Sequence, residues 1–531
     1  MKAVSTARLV LAMLAVVAAG LASCRRTGVD DRRLADVDSR VRARWGKGLA
    51  ELPAVKLSVI TPHNENIQSE FDWAFSLHHA LAYGQRIEIE YVDVGGGGSS
   101  IEKYLQNVYE QRDSSHIDVL WGGGDVVFNA LRRPTRRHEE GLLEPLRLPP
   151  DVLEQIPAQF GGIAFREPSE KKMRWIGSAV SSFGFLYNAG MMEHCGIRPA
   201  PARWDDLGED RFTDLLVLAD PSQSSSVANV YRLIVTSETT WPAGWAKLIG
   251  VLSNAKRVSD SAGQAVNAPV LGDALVATCI DFYGILRVAE APSDLVYVSP
   301  EGQTPFTPDP IAILRNPPNP LEAQRFVEFV LSARGQALWA LPVGDVDGPA
   351  RTVLGRVPIR RDVFELYRGR LIPRTVNFYQ SRQTMQVSPE MARINSEVLR
   401  MLVIAACVDT TDDMRAARRR LNELAAAAAR PGADPAARAE YLRRLALFTR
   451  LSEDVDTLEK MNALPRTFRV PDAQRAEQIA RAFRAANGRE MTQAEQVAQL
   501  AAAYRRDLRA VDRVSRAWRD YFRSMYQEVA R

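Results

Sequence analysis

Ile87-Glu88-Ile89-Glu90-Tyr91-Val92-Asp93-Val94 runs straight into Gly95-Gly96-Gly97-Gly98-Ser99-Ser100, and a helical pattern follows over residues 101–109. Alternating apolar and polar residues bounded by glycines read as a strand. Glycines let the backbone come close to a ligand, and the first amides of the next helix lack acceptors of their own. With the helix dipole and the Ser99 and Ser100 hydroxyls, that end favours an anion, and Gly97 and Gly98 become candidate contacts. A Gly-rich hairpin or linker is the plainer reading. The pattern recurs twice: residues 56–60 run into Thr61-Pro62-His63-Asn64-Glu65, and residues 117–120 into Trp121-Gly122-Gly123-Gly124-Asp125. In an open α/β sheet, ligands bind where strands end and helices begin. Three such ends describe half of a small-molecule cleft.

The N-terminus sets the compartment. Residues 1–23 carry Lys2 and Arg8, then an apolar run over 9–21, which reads as a secretory signal too short to favour a spanning helix. It ends Leu21-Ala22-Ser23-Cys24, which resembles the bacterial lipobox, so Cys24 is the expected lipidation site and membrane anchor. Two or more acyl chains hold a protein stably where one does not. Cys195, Cys279 and Cys407 fix no pairing and show no CxxC spacing; buried, unreactive thiols are expected. The 531 residues exceed one core, and the net charge of +4 is small for that length, which argues against a nucleic-acid partner.

The chain divides by pattern. Residues 24–53 read as a charged tether with a helix near 30–45. From 54 to about 316, short strands alternate with helices, which predicts α/β units with mainly parallel pairing. Residues 320–338 read as one helix. Beyond about 380 the chain is Ala- and Arg-rich, with amphipathic stretches over 391–408, 413–429, 435–451, 472–487 and 492–529. No internal repeat is visible.

Further motifs follow in order: Arg174-Trp175-Ile176-Gly177-Ser178 and onward to Asn188, a long crossing strand; Ala219-Asp220-Pro221-Ser222-Gln223-Ser224-Ser225-Ser226 before a helix; Ile280-Asp281-Phe282-Tyr283; and the return segment Asp309-Pro310-Ile311-Ala312-Ile313-Leu314. Behind a lipobox, this set resembles the extracellular solute-binding proteins of ABC importers, of the type II periplasmic-binding fold, in the branch holding ferric-iron, phosphonate and sugar-phosphate binders. The resemblance covers about residues 54–375. It implies two α/β lobes joined by crossing strands and closing over a ligand: lobe 1 over 54–178 and 309–375, lobe 2 over 179–308, and a helical extension over 380–531. It also implies an ABC permease as partner.

Several residues have two readings. Asp220 with the serines after it either caps a helix or, through Ser224, Ser225 and Ser226, donates to an anion. Trp121 with Gly122 and Gly123 is a ligand wall with backbone donors, or a turn needing positive φ. His63 and Asn64 follow a strand end; a lone histidine is commonly a structural hydrogen-bonding residue. His78 and His79 point apart on a helix and make no metal pair. Ser182 lines a cleft floor or faces solvent. Ferric-binding relatives place two adjacent tyrosines near 282–283, since phenolates suit Fe³⁺; here the first position is Phe282. Asp281 then accepts from a ligand and Tyr283 donates or stacks, or the segment is core.

Four functions compete. The leading one is a lipid-anchored binder delivering a small phosphorylated or carboxylated solute to a permease, with no cofactor and no covalent step. The alternatives are a ferric-iron binder on the same scaffold, an enzyme, and an envelope scaffold or sensor whose helical tail is the active part. No GxSxG elbow, HExxH or supported carboxylate pair favours catalysis.

Overall fold

The computed structural model describes residues 28–531 except 96, 170–171, 224, 374, 383 and 464–471. The signal segment 1–23 and Cys24 lie outside the described residues. The chain forms two compact units. The first takes Met1–Val180 with Thr307–Asn377, and the second takes Ser181–Phe306 with Phe378–Arg531.

The segment expected as a tether opens with α1 (Gly28–Trp45). Its Val37 and Val41 are buried against Leu77 and Ala80, so this helix is docked, not free. Next come β1 (Ala54–Ile60), α2 (Glu65–Tyr83), β2 (Arg86–Val92), α3 (Gly98–Gln111), β3 (Val119–Trp121) and α4 (Asp125–Leu131). β1 pairs in parallel with β2 and with β3. Each strand leads into a helix across one of the three loops.

The expected single crossing strand is two: β4 (Ile176–Ser181) and β5 (Phe183–Asn188), broken at Ser182. The second unit continues through β6 (Leu216–Ala219), α5 (Ser225–Thr236), α6 (Trp241–Ser253), β7 (Ala255–Ser259), α7 (Ala262–Leu271), β8 (Val276–Ile280), α8 (Asp281–Glu290) and β9 (Leu295–Val298). The chain returns as β10 (Thr307–Ile313), antiparallel to β3, followed by α9 (Pro320–Leu331). The helix expected over 320–338 ends at Leu331 because Ser332 turns extended and caps a second short helix by accepting from the Gly335 amide.

Sheet order is β2-β1-β3-β10-β4 in the first unit and β9-β5-β8-β6-β7 in the second. Pairing is mixed where mainly parallel was expected. β5 runs antiparallel to both β8 and β9, while β8 pairs in parallel with β6, and β6 with β7. The strands that enter and leave a unit supply the antiparallel members.

The tail contains α10 (Ser396–Val403), a π-turn (Ile404–Val408), α11 (Thr411–Ala428), α12 (Pro435–Phe448), α13 (Asp472–Asn487) and the 38-residue α14 (Gln493–Ala530). One core of buried side chains runs without a break from β5 and α6 into it, joining Trp241, Trp245 and Tyr231 to Cys407, Met414, Trp518, Phe522 and Tyr526. The Trp241 indole donates to the Val455 carbonyl at 2.7 Å, and the Tyr526 hydroxyl to Ala406 at 2.9 Å. The tail is therefore a layer of the second unit. Among the described residues no helix is long and apolar enough to cross a membrane.

Candidate functional site

In the first unit two of the three loops, those after β1 and β3, meet at a buried carboxylate that the sequence did not single out. Asp309, near the start of β10, accepts from His63 Nε2 at 2.9 Å and from Arg356 Nη1 at 2.8 Å on Oδ2. Its Oδ1 accepts from the amides of Gly123 at 2.9 Å and Gly124 at 3.3 Å. An acceptor in every contact is an ionised carboxylate. Burial alone would raise its pKa. The Arg356 charge, the His63 hydrogen bond and the Gly124 amide outweigh that and hold it well below the usual range.

The amides expected to receive a ligand anion at residues 122–124 are thus already occupied. Gly122 donates to the Pro310 carbonyl at 2.7 Å, and Gly123 and Gly124 donate to Asp309. Three successive positive φ angles of 85°, 100° and 83° aim these amides inward, a path that side-chain-bearing residues rarely follow. A Cβ on Gly122 would also lie 2.7 Å from His63 Nε2.

Trp121 is wholly buried; its indole donates to Ser178 Oγ at 3.0 Å, so it is core and not a ligand wall. His63 turns inward with it, edge-on at 4.5 Å between ring centroids. Burial first, then the nearby Arg356 charge, lowers the His63 pKa despite Asp309. Asn64 caps α2 by accepting from the Ile67 amide at 3.1 Å. Arg356 is itself placed by α2: buried Glu70 accepts from the amides of Ala350, Arg351 and Thr352 at 2.6–2.7 Å, pinning the loop that carries it.

One end stays open. α3 begins at Gly98 with Gly97 as its cap residue, no side-chain cap and no acidic residue in its first turn. By contrast α2 has Asn64 and Glu65, and α4 has Asp125. Gly98 fits against the 122–124 turn because it lacks a Cβ, which would sit 2.6 Å from the Gly123 carbonyl. Ser100 is half-buried and Gly97 exposed beside it. The Ser99 side chain lies outside the described residues.

The second unit brings Ser182 and Asp281 together. Buried Asp281, expected to accept from a ligand, accepts from the Ser182 amide at 2.6 Å and the Phe282 amide at 2.8 Å. It fastens the β4–β5 break to the start of α8. Ser182 Oγ lies 2.9 Å from Ser299 Oγ. Tyr283 is half-buried in the first turn of α8, its ring tilted against Phe282 at 4.5 Å, so the segment is neither a strand nor a tyrosine pair. Asp220 closes a turn by accepting from the Ser222 amide at 2.7 Å. Ser226 is half-buried on α5; Ser224 and the Ser225 side chain lie outside the described residues. Among the described residues, no group of three His, Cys, Asp or Glu side chains could hold a metal. Cys279 and Cys407 are buried and free, with burial pushing the Cys407 thiol up to about 12; Cys195, expected buried, is exposed.

Residues 128–344 match the family model of the bacterial extracellular solute-binding protein. The matched span covers less than half of the chain. The phosphoglycerate transport regulatory protein PgtC of Salmonella typhimurium is 27% identical over 168 residues, 31% of this chain and 40% of that protein. The chain thus matches less than half the length of that curated relative. Among solved structures, iron-bound HitA of Pseudomonas aeruginosa is 16% identical with a TM-score of 0.43, covering 63% of this chain and 94% of its own. AfuA of Actinobacillus pleuropneumoniae, with fructose-6-phosphate bound, is 19% identical with a TM-score of 0.40, covering 60% and 92%. All three strand-end loops of the first unit fall before the matched span.

Three histidines, His63, His78 and His79, give the first unit an acid sensitivity. Burial first, then the Arg334 charge, lowers the His78 pKa from 6.5 to about 4; burial likewise lowers His63 and His79. The unfolded chain takes up protons near pH 6.5 that the folded state refuses, so stability falls as pH drops from 6.5 toward 4. In urea melts, His78→Gln is expected to recover about 2 kcal/mol of the loss seen at pH 5 relative to pH 7.

Proposed function

We propose that this protein is the lipid-anchored solute-binding component of an ABC importer, held by Cys24, capturing a small phosphorylated or carboxylated solute by lobe closure and handing it to a membrane permease. The observation that carries this reading is the start of α3. Of the three helices that follow the strand-end loops of the first unit, it alone has neither a side-chain cap nor an acidic first turn. An uncompensated helix N-terminus in front of a glycine loop is suited to an anion. The name of the Salmonella relative, which specifies phosphoglycerate, points to the same chemistry. Bound solute would stabilise the closed population by its greater affinity for it.

The test is calorimetry on the full chain with 3-phosphoglycerate, phosphoenolpyruvate and fructose-6-phosphate. Saturable binding of at least one is expected, weakened roughly tenfold by Ser100→Ala, the loss of one hydrogen bond to a charged group. Binding of none, together with a visible absorbance band on adding ferric ion, would overturn the anion reading in favour of iron. Globomycin-sensitive processing of the precursor checks the anchor at Cys24.

A further inference from the structure

The second unit holds a feature that solute capture at α3 does not use. A cavity of about 330 Å³ opens where the tail meets the sheet edge, lined by Asp220, Ser259 and Asp260 at the ends of β6 and β7, Lys256 on β7, and Asp412 and Arg415 on the first turns of α11. That volume is at the small end of those seen for ligand pockets.

Its charges are incompletely neutralised in both signs. Lys256 and Arg257 share the single Asp273 carboxylate, with Lys256 Nζ 2.8 Å and Arg257 Nη2 2.9 Å from it. Arg415 and Arg419 share Asp214, at 2.7 and 2.8 Å. Each cluster keeps one positive charge in excess and N–H donors to spare. Against them, Asp260 and Asp412 have no ion-pair partner among the described residues, while the neighbouring Asp413 is taken by Arg523 and Gln527. A plain anion in this cavity would face Asp220, Asp260 and Asp412; a plain cation would face Lys256 and Arg415. A molecule bearing both an ammonium and a carboxylate satisfies both sets.

We propose that this cavity is a second ligand site, for a small zwitterion of the α-amino-acid class, with its carboxylate on Arg415 and Lys256 and its ammonium on Asp260 and Asp412. The site joins tail and sheet within one unit. Tyr231 of α5 donates to the Ala219 carbonyl at 2.7 Å, directly before Asp220, and the π-turn ends at Val408 on the cavity wall. An occupant would therefore tie the tail to the loop that leads into α5.

The test uses the full chain, titrated calorimetrically with glycine, L-serine and L-glutamate, and with acetate and methylamine as single-charge controls. At least one zwitterion is expected to bind at micromolar to millimolar concentration, the controls not at all. Asp260→Asn with Asp412→Asn is expected to weaken that binding about tenfold or more. Both carboxylates are exposed and hold no ion pair among the described residues, so the double variant keeps its melting temperature. No zwitterion binding at millimolar concentration, unchanged binding in the double variant, or equal binding of acetate or methylamine would each overturn the proposal.

Discussion

Ending the chain at Asn377 is expected to leave its second unit unfolded, giving aggregated protein with an exposed, dye-binding apolar surface. The deletion would strip the tail from Trp241, Trp245 and Tyr231, which are buried in one cluster with Phe522 and Tyr526. The same dependence is measurable without a truncation. Phe522 is fully buried, with its ring 5.7 Å from Trp245 and 6.2 Å from Tyr526. Phe522→Ala in the full chain is expected to lower stability by about 3–5 kcal/mol, the usual cost of emptying a buried aromatic site. Urea melts followed by tryptophan fluorescence read it directly. A loss below about 1 kcal/mol, or a soluble cooperative protein ending at Asn377, would restore the reading of the tail as a separate interaction module.

The position of the tail helices was legible while their role was not. Amphipathic spacing and the Arg430-Pro431-Gly432 break place α11 and α12 within a few residues of where they lie. Nothing local says that the apolar face of α14 is matched to tryptophans 270 or so residues earlier in the chain, since a hydrophobic stripe specifies burial and not its partner. The strand-end loops were legible for a similar reason. Glycine, proline and N-cap residues punctuate strand-to-helix transitions locally. The direction of the side chains there was not. Trp121 and His63 read equally well as cleft or core until β10 brings Asp309 beside them across 246 positions. Asp281 shows the same blindness: its partner, the Ser182 amide, is 99 residues away. A glycine run signals that amides can approach an anion. It does not say whether the anion is a ligand or, as at Asp309, part of the protein.

That internal anion carries the other large expectation. Arg356→Ala would leave Asp309 buried with His63 and two amides but no counter-charge, a change expected to cost about 3–5 kcal/mol. Removing both charges should cost less than removing one. Arg356→Ala with Asp309→Ala is expected to be more stable than Arg356→Ala alone, because the desolvation of an unpaired carboxylate is what drives the loss. Lysine at 356 would restore the charge but not the fork of donors, and a partial rescue is expected. The consequence reaches α3. Asp309 holds the Gly123 and Gly124 amides, and Gly98 packs on the carbonyl of Gly123, so a loosened turn removes the surface against which the first turn of α3 is set. Solute affinity is therefore expected to fall in Arg356→Ala along with the melting temperature, although Arg356 lies behind the turn and is itself buried. Calorimetry of both quantities on the same preparations separates the cases. A variant that loses stability but binds solute with unchanged affinity would show that the turn does not support the α3 end, and a variant that loses neither would show that the Asp309 charge needs no partner here.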